Sequence, residues 1–203
     1  MTDTPAERTS TPPRLLIAED EAIIRLDLKE MLEEEGYAVV GEAADGEAAL
    51  RLARERSPDL VIMDVKMPGM DGLTAAGVIA DEQLGAVLIL TAFSQRDLVQ
   101  RAAEAGAMGY LVKPFQKSDL MPAIDIALAR HAQLSAVRSE SATLSEQLDT
   151  RKAVDKAKGR LMDGQGMSEA DAFRHIQKRA MNERRSMRAI ADEIVEEAGS
   201  RPN

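Results

Sequence analysis

The 203-residue chain has no cysteine, no tryptophan and only two histidines. Without cysteine, disulfide bonds, thiolate catalysis and zinc–thiolate sites are excluded, and a metal site built from several histidines is disfavoured. The chain has only two tyrosines and three phenylalanines. Binding of nucleic acid by rows of stacked aromatic rings is therefore also disfavoured.

Long apolar runs are absent as well. The longest, counting glycine, has eight residues, Ala105 to Val112, whereas a transmembrane helix needs about 20. Residues 1–13 are polar and contain several prolines, without the apolar segment of a secretory signal, and we expect them to form a disordered tail. The sequence predicts a cytoplasmic protein with no membrane contact.

Charge is distributed unevenly along the chain. Residues 1–150 carry a net charge of -12 and residues 151–203 a net charge of +3, which together give the total of -9. An acidic part followed by a basic part suggests a different partner for each. The alternative is that these charges only solvate helices.

Five short aliphatic runs alternate with helical patterns, which predicts a doubly wound α/β domain with a parallel sheet. In such a sheet, ligands bind outside the carboxyl ends of the strands. The second run leads into polar Glu42, so it is the best candidate for an edge strand. The runs are residues 15–18, 38–40, 60–63, 86–90 and 110–112.

Helix signals lie between and after these runs. Ser94 and Ser118 are suited to cap the fourth and fifth helices, and Ile23, Leu26 and Met31 repeat at helical spacing in the first. The fifth pattern continues to about residue 148, and we expect a helical linker over residues 132–149. There, apolar residues with one polar defect follow a heptad spacing, which favours either a short dimerising coiled coil or a solvated connector: Leu134, Val137, Ser141, Leu144 and Leu148.

Residues 150–198 are helical throughout and predict a small all-α domain of three helices, joined to the sheet domain by the long helix. The first helix has an apolar face around Leu161 and ends at a break over residues 163–166. Phe173 and Ile176 form a second apolar face, in which we expect Phe173 to belong to the core.

Five polar residues follow the predicted strands. Glu19 and Asp20 follow the first strand, Asp64 the third, Thr91 the fourth and Lys113 the fifth. In the flavodoxin-like strand order 2-1-3-4-5 these strands are neighbours, so the five side chains converge on one cleft.

Clustered carboxylates repel one another unless a cation joins them, and oxygen ligands without His or Cys select Mg2+. A divalent cation beside a carboxylate can neutralise an incoming phosphoryl group, which the carboxylate then attacks. The alternative is an ordinary surface ion-pair cluster, but the joint placement of all five residues favours a site.

Residues 14–131 resemble the receiver domain of response regulators. The resemblance is carried by Ile17 to Glu21, Met63 to Gly72, Leu90 to Ala92 and Tyr110 to Phe115. It implies that a histidine kinase phosphorylates Asp64, that Thr91 and Lys113 sense the phosphoryl group, and that Tyr110 reorients. It further implies a cis peptide bond before Pro114 and Mg2+ bound by Asp20, Asp64 and the backbone carbonyl of Lys66, with Glu19 assisting. Many family members have Asp at the position of Glu19, whose longer side chain either moves the metal or contacts it directly.

Basic residues are concentrated in the last part of the chain, a pattern typical of phosphate contacts. A protein-docking bundle with basic outer faces is the alternative, and no typical helix-turn-helix spacing is present. The candidate nucleic-acid contacts are Lys152, Lys156, Lys158, Arg160, Arg179, Arg184, Arg185 and Arg188.

Residues 150–197 are similar to the ANTAR domain, with Arg151 to Met162 and Ser168 to Phe173 as the strongest matches. This family binds RNA stem-loops in nascent transcripts and prevents termination. The domain order resembles that of phosphorylation-dependent transcriptional antitermination regulators. We therefore expect a non-enzymatic regulator in which activation either frees the basic helices or forms a homodimer. A receiver-controlled DNA-binding factor and a protein-docking module are the alternatives.

Overall fold

The computed structural model describes residues 11–92 and 96–199, so the first ten residues of the tail predicted over residues 1–13 and the predicted cap Ser94 lie outside the described residues. Five strands are present: β1 Arg14–Ala18, β2 Ala38–Ala43, β3 Leu60–Asp64, β4 Ala86–Thr91 and β5 Gly109–Val112. The helices of the described part are α1 Ala22–Glu34, α2 Gly46–Arg56, α3 Gly72–Asp81, α4 Arg96–Glu104, α5 Lys117–Gln165, α6 Glu169–Glu183 and α7 Met187–Gly199.

The five strands form one parallel sheet in the order β2-β1-β3-β4-β5, which confirms the predicted fold class. Alternate residues of β1 enter two separate cores. Leu16 packs with residues of α2 and α3 on one face, and Leu15 packs with residues of α1 and α5 on the other. The helices therefore cover both faces of the sheet, and only the strand ends are left to line a site.

β2 and β5, the two edge strands of the sheet, are less buried than the central strands. β2 is an edge strand, as predicted, and β5 is the other edge. β5 is less buried than β3 and β4, and its Tyr110 is 47% exposed, because an edge strand has a neighbour on one side only. In α1, Leu28 and Leu32 are buried whereas Ile23 and Leu26 are exposed. The face predicted for α1 is therefore wrong.

Polar side chains cap the N-termini of several helices. Asp45 accepts a hydrogen bond from the backbone N–H of Ala48 at the start of α2, and Ser168 caps α6 in the same way. The predicted cap Ser118 is wrong, because α5 already begins at Lys117. The carboxylate of Asp119 instead accepts a hydrogen bond from the Gln116 N–H at 3.0 Å.

α5 has 49 residues. The expectation that the long helix ends near Leu148 and that a separate helix follows is wrong, because α5 has no proline after Pro122 near its start and the single Gly159 does not interrupt it. The chain divides into two compact units, residues 1–134 and 135–203, and α5 belongs to both. In the part of the chain that the structure describes, no helix has a stretch long and apolar enough to cross a membrane.

The second unit, called the output unit below, has a core of three helical faces, as predicted. α5 contributes Val154, Ala157 and Leu161, and the remaining buried residues are Ala172, Ile176, Ala180, Ile190, Ala191 and Ile194. Phe173 is 43% exposed, so its predicted place in this core is wrong. The buried residues of α6 are spaced by four and form a narrow stripe, which leaves the ring of Phe173 at its margin.

Candidate functional site

Three carboxylates meet at the carboxyl edge of the sheet. Glu19 and Asp20 directly follow β1, and Asp64 is the last residue of β3. One carboxylate oxygen from each lies within 4.8 Å of the other two. Glu19 is fully buried and Asp64 is 7% exposed, so little water reaches them. Carboxylates held this closely with little water favour a bound cation.

Lys113 supplies one positive charge to this group. Its Nζ lies 2.5 Å from Oε2 of Glu19 and 3.3 Å from Oδ2 of Asp64. Its backbone N–H donates to the carbonyl of Thr91, a buried residue at the end of β4. Asp20, Asp64, Thr91 and Lys113 line one cleft of about 460 Å3, called the acidic cleft below, and Glu19 lies beneath it.

The electrostatics of the acidic cleft are dominated by burial. Burial raises the pKa of Glu19 and of Asp64 above the ordinary values, although the hydrogen bond or charge of Lys113 opposes the rise. Burial by itself lowers the pKa of Lys113, but its hydrogen bond to Glu19 and the charge of Asp64 raise it overall. One ammonium group thus does not fully compensate the carboxylates, and a further cation would stabilise their charged forms.

The donor set suits a hard divalent cation, because it consists of oxygen atoms. Lys66, whose backbone carbonyl is the predicted fourth ligand, lines the cleft with Asp20 and Asp64. Both oxygens of Glu19 have partners: Lys113 on Oε2, and the N–H of Glu21 at 3.4 Å on Oε1. Glu19 differs from Asp20 and Asp64 in being fully buried and in not lining the cleft.

Two positioning residues escaped the sequence analysis. Nη1 of Arg25 donates to the carbonyl of Glu19 at 2.5 Å and holds the turn after β1. At Gly72, a Cβ atom would lie 1.9 Å from the carbonyl oxygen of Asp64, so only glycine fits. No spacing in the sequence reveals the contact of Arg25. Gly72 is visible there only as the end of the Met63 to Gly72 motif, and its approach to Asp64 is not.

The receiver resemblance also predicts a role for Tyr110 and a cis peptide bond before Pro114. Tyr110 is half exposed on β5 and is not among the residues that line the acidic cleft. The peptide bond between Lys113 and Pro114 is cis.

Three of the predicted RNA contacts are engaged in ion pairs within the output unit. Nζ of Lys158 lies 2.8 Å from Asp155 and 2.7 Å from Glu169. Arg179 and Arg185 both contact Glu183 and Glu193, which joins α6 to α7. Hydrogen bonds to these carboxylates raise the pKa of each of the three basic groups. Their charge is largely neutralised by the protein itself.

The remaining candidates are more available. Lys152, Lys156 and Arg160 are exposed and spaced by four along α5, so they share one side of the helix and form the basic stripe. Nζ of Lys152 is 3.9 Å from Asp149, and Arg188 is equally far from Asp192. Arg184 is exposed at the left-handed residue that ends α6.

Comparison with protein-family models gives two matches. Residues 15–125 match the response regulator receiver domain, and residues 142–195 match the ANTAR domain. The first match covers the sheet and the acidic cleft. The second covers the basic stripe and most of the output unit.

Known proteins agree with this division. The chain is 56% identical over 191 residues to the transcriptional regulatory protein PdtaR of Mycobacterium tuberculosis, covering 94% of this chain and 93% of that protein. The receiver domain of the response regulator NarL from Mycobacterium tuberculosis is 30% identical, with a TM-score of 0.57, and covers 59% of this chain and 98% of its own. A CheX–CheY–BeF3–Mg2+ complex from Borrelia burgdorferi is 27% identical, with a TM-score of 0.55, and covers 57% of this chain and 89% of its own. The chain belongs to the response regulators, with a receiver domain followed by an ANTAR domain.

Proposed function

We propose that a histidine kinase phosphorylates Asp64 in the cytoplasm, and that this controls the binding of RNA stem-loops in nascent transcripts by the output unit, which thereby prevents termination. The observation that carries this proposal is the acidic cleft, in which Asp64 lies among two further carboxylates with Lys113 at 3.3 Å. As domain limits we propose residues 14–131 for the receiver, 132–149 for the linker and 150–198 for the RNA-binding domain.

The two oxygens of Asp64 are suited to different tasks. Oδ1 accepts a hydrogen bond from the N–H of Val65 at 2.9 Å, which orients the carboxylate. Oδ2 faces Lys113 and is the oxygen that attacks phosphorus, while the bond from phosphorus to the nitrogen of the kinase histidine breaks. Lys113 and Thr91 then contact the phosphoryl oxygens.

Mg2+ would be held by Asp20, Asp64 and the carbonyl of Lys66, with Glu19 assisting from beneath. When bound, it neutralises negative charge on the carboxylates and on the incoming phosphoryl group. Glu19 keeps Lys113 in the cleft through its 2.5 Å contact. Glu19 is fully buried and does not line the cleft, which supports an indirect role.

Phosphorylation would change the conformation around Thr91 and Tyr110 and promote association of two copies of the chain through α5. These two changes would activate the output unit. Four apolar side chains of the predicted seam are between 44% and 63% exposed, and we propose that they form a homodimer on activation: Leu134, Val137, Leu144 and Leu148. Leu144→Glu should keep the phosphorylated protein monomeric in analytical ultracentrifugation. Dimerisation that survives this change would place the contact elsewhere.

Asp64→Asn tests the first step. Incubation of the wild type with acetyl phosphate and Mg2+ should add one phosphoryl group, detected by intact mass, and the variant should add none. Asp71→Asn is the matched control, because Asp71 is a nearby exposed acid whose role is to cap α3, a role that Asn retains. Incorporation by the Asp64 variant at the wild-type level would contradict the assignment.

RNA binding is tested by competition. The protein with Mg2+ and beryllofluoride should retain a pool of RNA hairpins in the presence of duplex DNA of equal charge, and the Asp64→Asn variant should retain less. Preference for the duplex DNA would favour a DNA-binding factor. Retention of neither would favour a protein-docking module.

A further inference from the structure

A small cavity lies in the output unit between the end of α5, one side of α6 and the last turns of α7. Its volume is about 170 Å3, which is on the scale of a single nucleobase rather than a base pair. Its floor is apolar, formed by Leu161 and Ile194, which are 3% and 5% exposed. We call it the end cavity.

Two polar side chains in its wall are available to a ligand. Arg160 and His175 are exposed, and within residues 11–92 and 96–199 neither forms an ion pair or a side-chain hydrogen bond with the protein. The guanidinium of Arg160 offers several donors in one plane. Arg179, also in the wall, is held by Glu183 and Glu193 and serves as a fixed side of the cavity.

The opposite part of the rim carries acceptors. Oε2 of Glu197 is 3.9 Å from Nη1 of Arg179, longer than a hydrogen bond, so this carboxylate retains accepting capacity. Gln165 is the last residue of α5, and the final carbonyls of a helix have no donor within it. The rim thus offers both donors and acceptors above an apolar floor.

This arrangement matches a nucleobase, which has flat apolar faces and an edge with both donors and acceptors. A phosphate group fits less well, because the apolar floor has no hydrogen-bond donor for its oxygens and the carboxylate of Glu197 repels its negative charge. Resting on the RNA-binding function proposed above, we infer that the end cavity receives one unpaired base of the RNA loop. Arg160 belongs to both the cavity and the basic stripe, so Lys152 and Lys156 would contact neighbouring phosphates.

The test uses full-length protein with Mg2+ and beryllofluoride, and RNA hairpins with one constant stem and a short randomised loop. The wild type should retain RNA enriched for one base at one loop position. Arg160→Met and Gly164→Leu should each reduce that enrichment about tenfold. Gly164 lines the cavity, and a Cβ atom there meets no atom within 4 Å. The backbone therefore accepts a Cβ atom at this position, the rest of the leucine side chain is expected to occupy part of the cavity, and leucine has the higher helix propensity.

Lys156→Met is the matched control. It removes a charge from the basic stripe outside the cavity, so it should weaken retention of the whole pool and leave the base enrichment unchanged. Failure of the wild type to retain any hairpin would overturn the RNA-binding function itself.

Three results overturn the cavity proposal while RNA binding stands. The first is retained RNA without base enrichment, and the second is enrichment that both cavity variants leave unchanged. The third is a loss of base enrichment in Arg160→Met but not in Gly164→Leu, because that result would assign the effect to surface charge and not to the cavity.

Discussion

The receiver and the output unit use charge in opposite ways. At the acidic cleft, the buried carboxylates of Glu19 and Asp64 lie close to each other and to exposed Asp20, and the two buried groups share a single lysine. In the output unit, the exposed Arg185 between α6 and α7 contacts acids on both helices. Buried groups of like charge are costly unless a ligand compensates them, whereas paired surface charges cost little and contribute little. The first pattern therefore marks a site far more strongly than the number of surface bases does.

Removing Lys113 gives the largest expected change in stability. Lys113→Met leaves Glu19 and Asp64 without their cation, and the free energy of unfolding should fall by about 3 kcal/mol in urea with EDTA. Saturating Mg2+ should restore more stability in the variant than it adds to the wild type. Lys117→Met is the control, because its pairs with Glu34 and Glu35 are at the surface and should cost less than about 1 kcal/mol. Equal losses would remove the contrast between buried and exposed pairs.

Arg179→Met tests the ion pairs of the output unit. It removes one partner of Glu183, Glu193 and Glu197, of which the first two keep Arg185, and the free energy of unfolding should fall by about 1 kcal/mol. Lys178→Met changes the preceding, exposed residue and should stay within about 0.5 kcal/mol of the wild type. Urea unfolding of both variants measures the difference. If both variants match the wild type, Arg179 is available to RNA like the residues of the basic stripe.

A smaller effect is expected from pH, with opposite signs in the two regions. Burial raises the pKa of Glu19, so the folded state binds a proton more tightly than the unfolded state. The stability of the wild type relative to Glu19→Gln should therefore rise as the pH falls towards the ordinary carboxyl pKa. The hydrogen bond from Arg185 lowers the pKa of Glu193. The stability relative to Glu193→Gln should then fall as the pH drops below that ordinary value.

The pH measurement is thermal unfolding between about pH 6 and about pH 3 in EDTA, since the ordinary carboxyl pKa lies near 4. EDTA is needed because a bound cation would lower the pKa of the carboxylates in the cleft. The contrast between the regions would be contradicted if the stability of the wild type relative to Glu19→Gln and its stability relative to Glu193→Gln changed in the same direction with pH.

Much of the acidic cleft was predictable because its geometry follows from a rule about strands. Aliphatic runs locate the strands, and the carboxyl ends of parallel strands share one edge. Glu19, Asp64 and Lys113 had to approach one another once the sheet order was known. The contact of Arg25 with the carbonyl of Glu19 obeys no such rule, because it depends on how one side chain of α1 folds back over a turn.

The basic surface was predictable only as a composition. Nothing in the order of residues shows that Lys158 is paired with Glu169 while Lys156 is exposed, or that Phe173 lies at the margin of its core. These outcomes depend on neighbouring helices, whose mutual rotation is set by packing. The length of α5 has a local cause instead: no helix breaker stands between the linker, residues 132–149, and the residues that follow it.

The sequence by itself determined the class of the sheet, the three carboxylates and their lysine, and the helical nature of the rest, because local periodicity and strand direction decide these features. Tertiary structure alone decided which charges are neutralised and which remain for a ligand. The contact between Lys113 and Glu19 joins residues 94 positions apart, and the end cavity requires three helices at once. Such features arise only when distant segments pack together and exclude water.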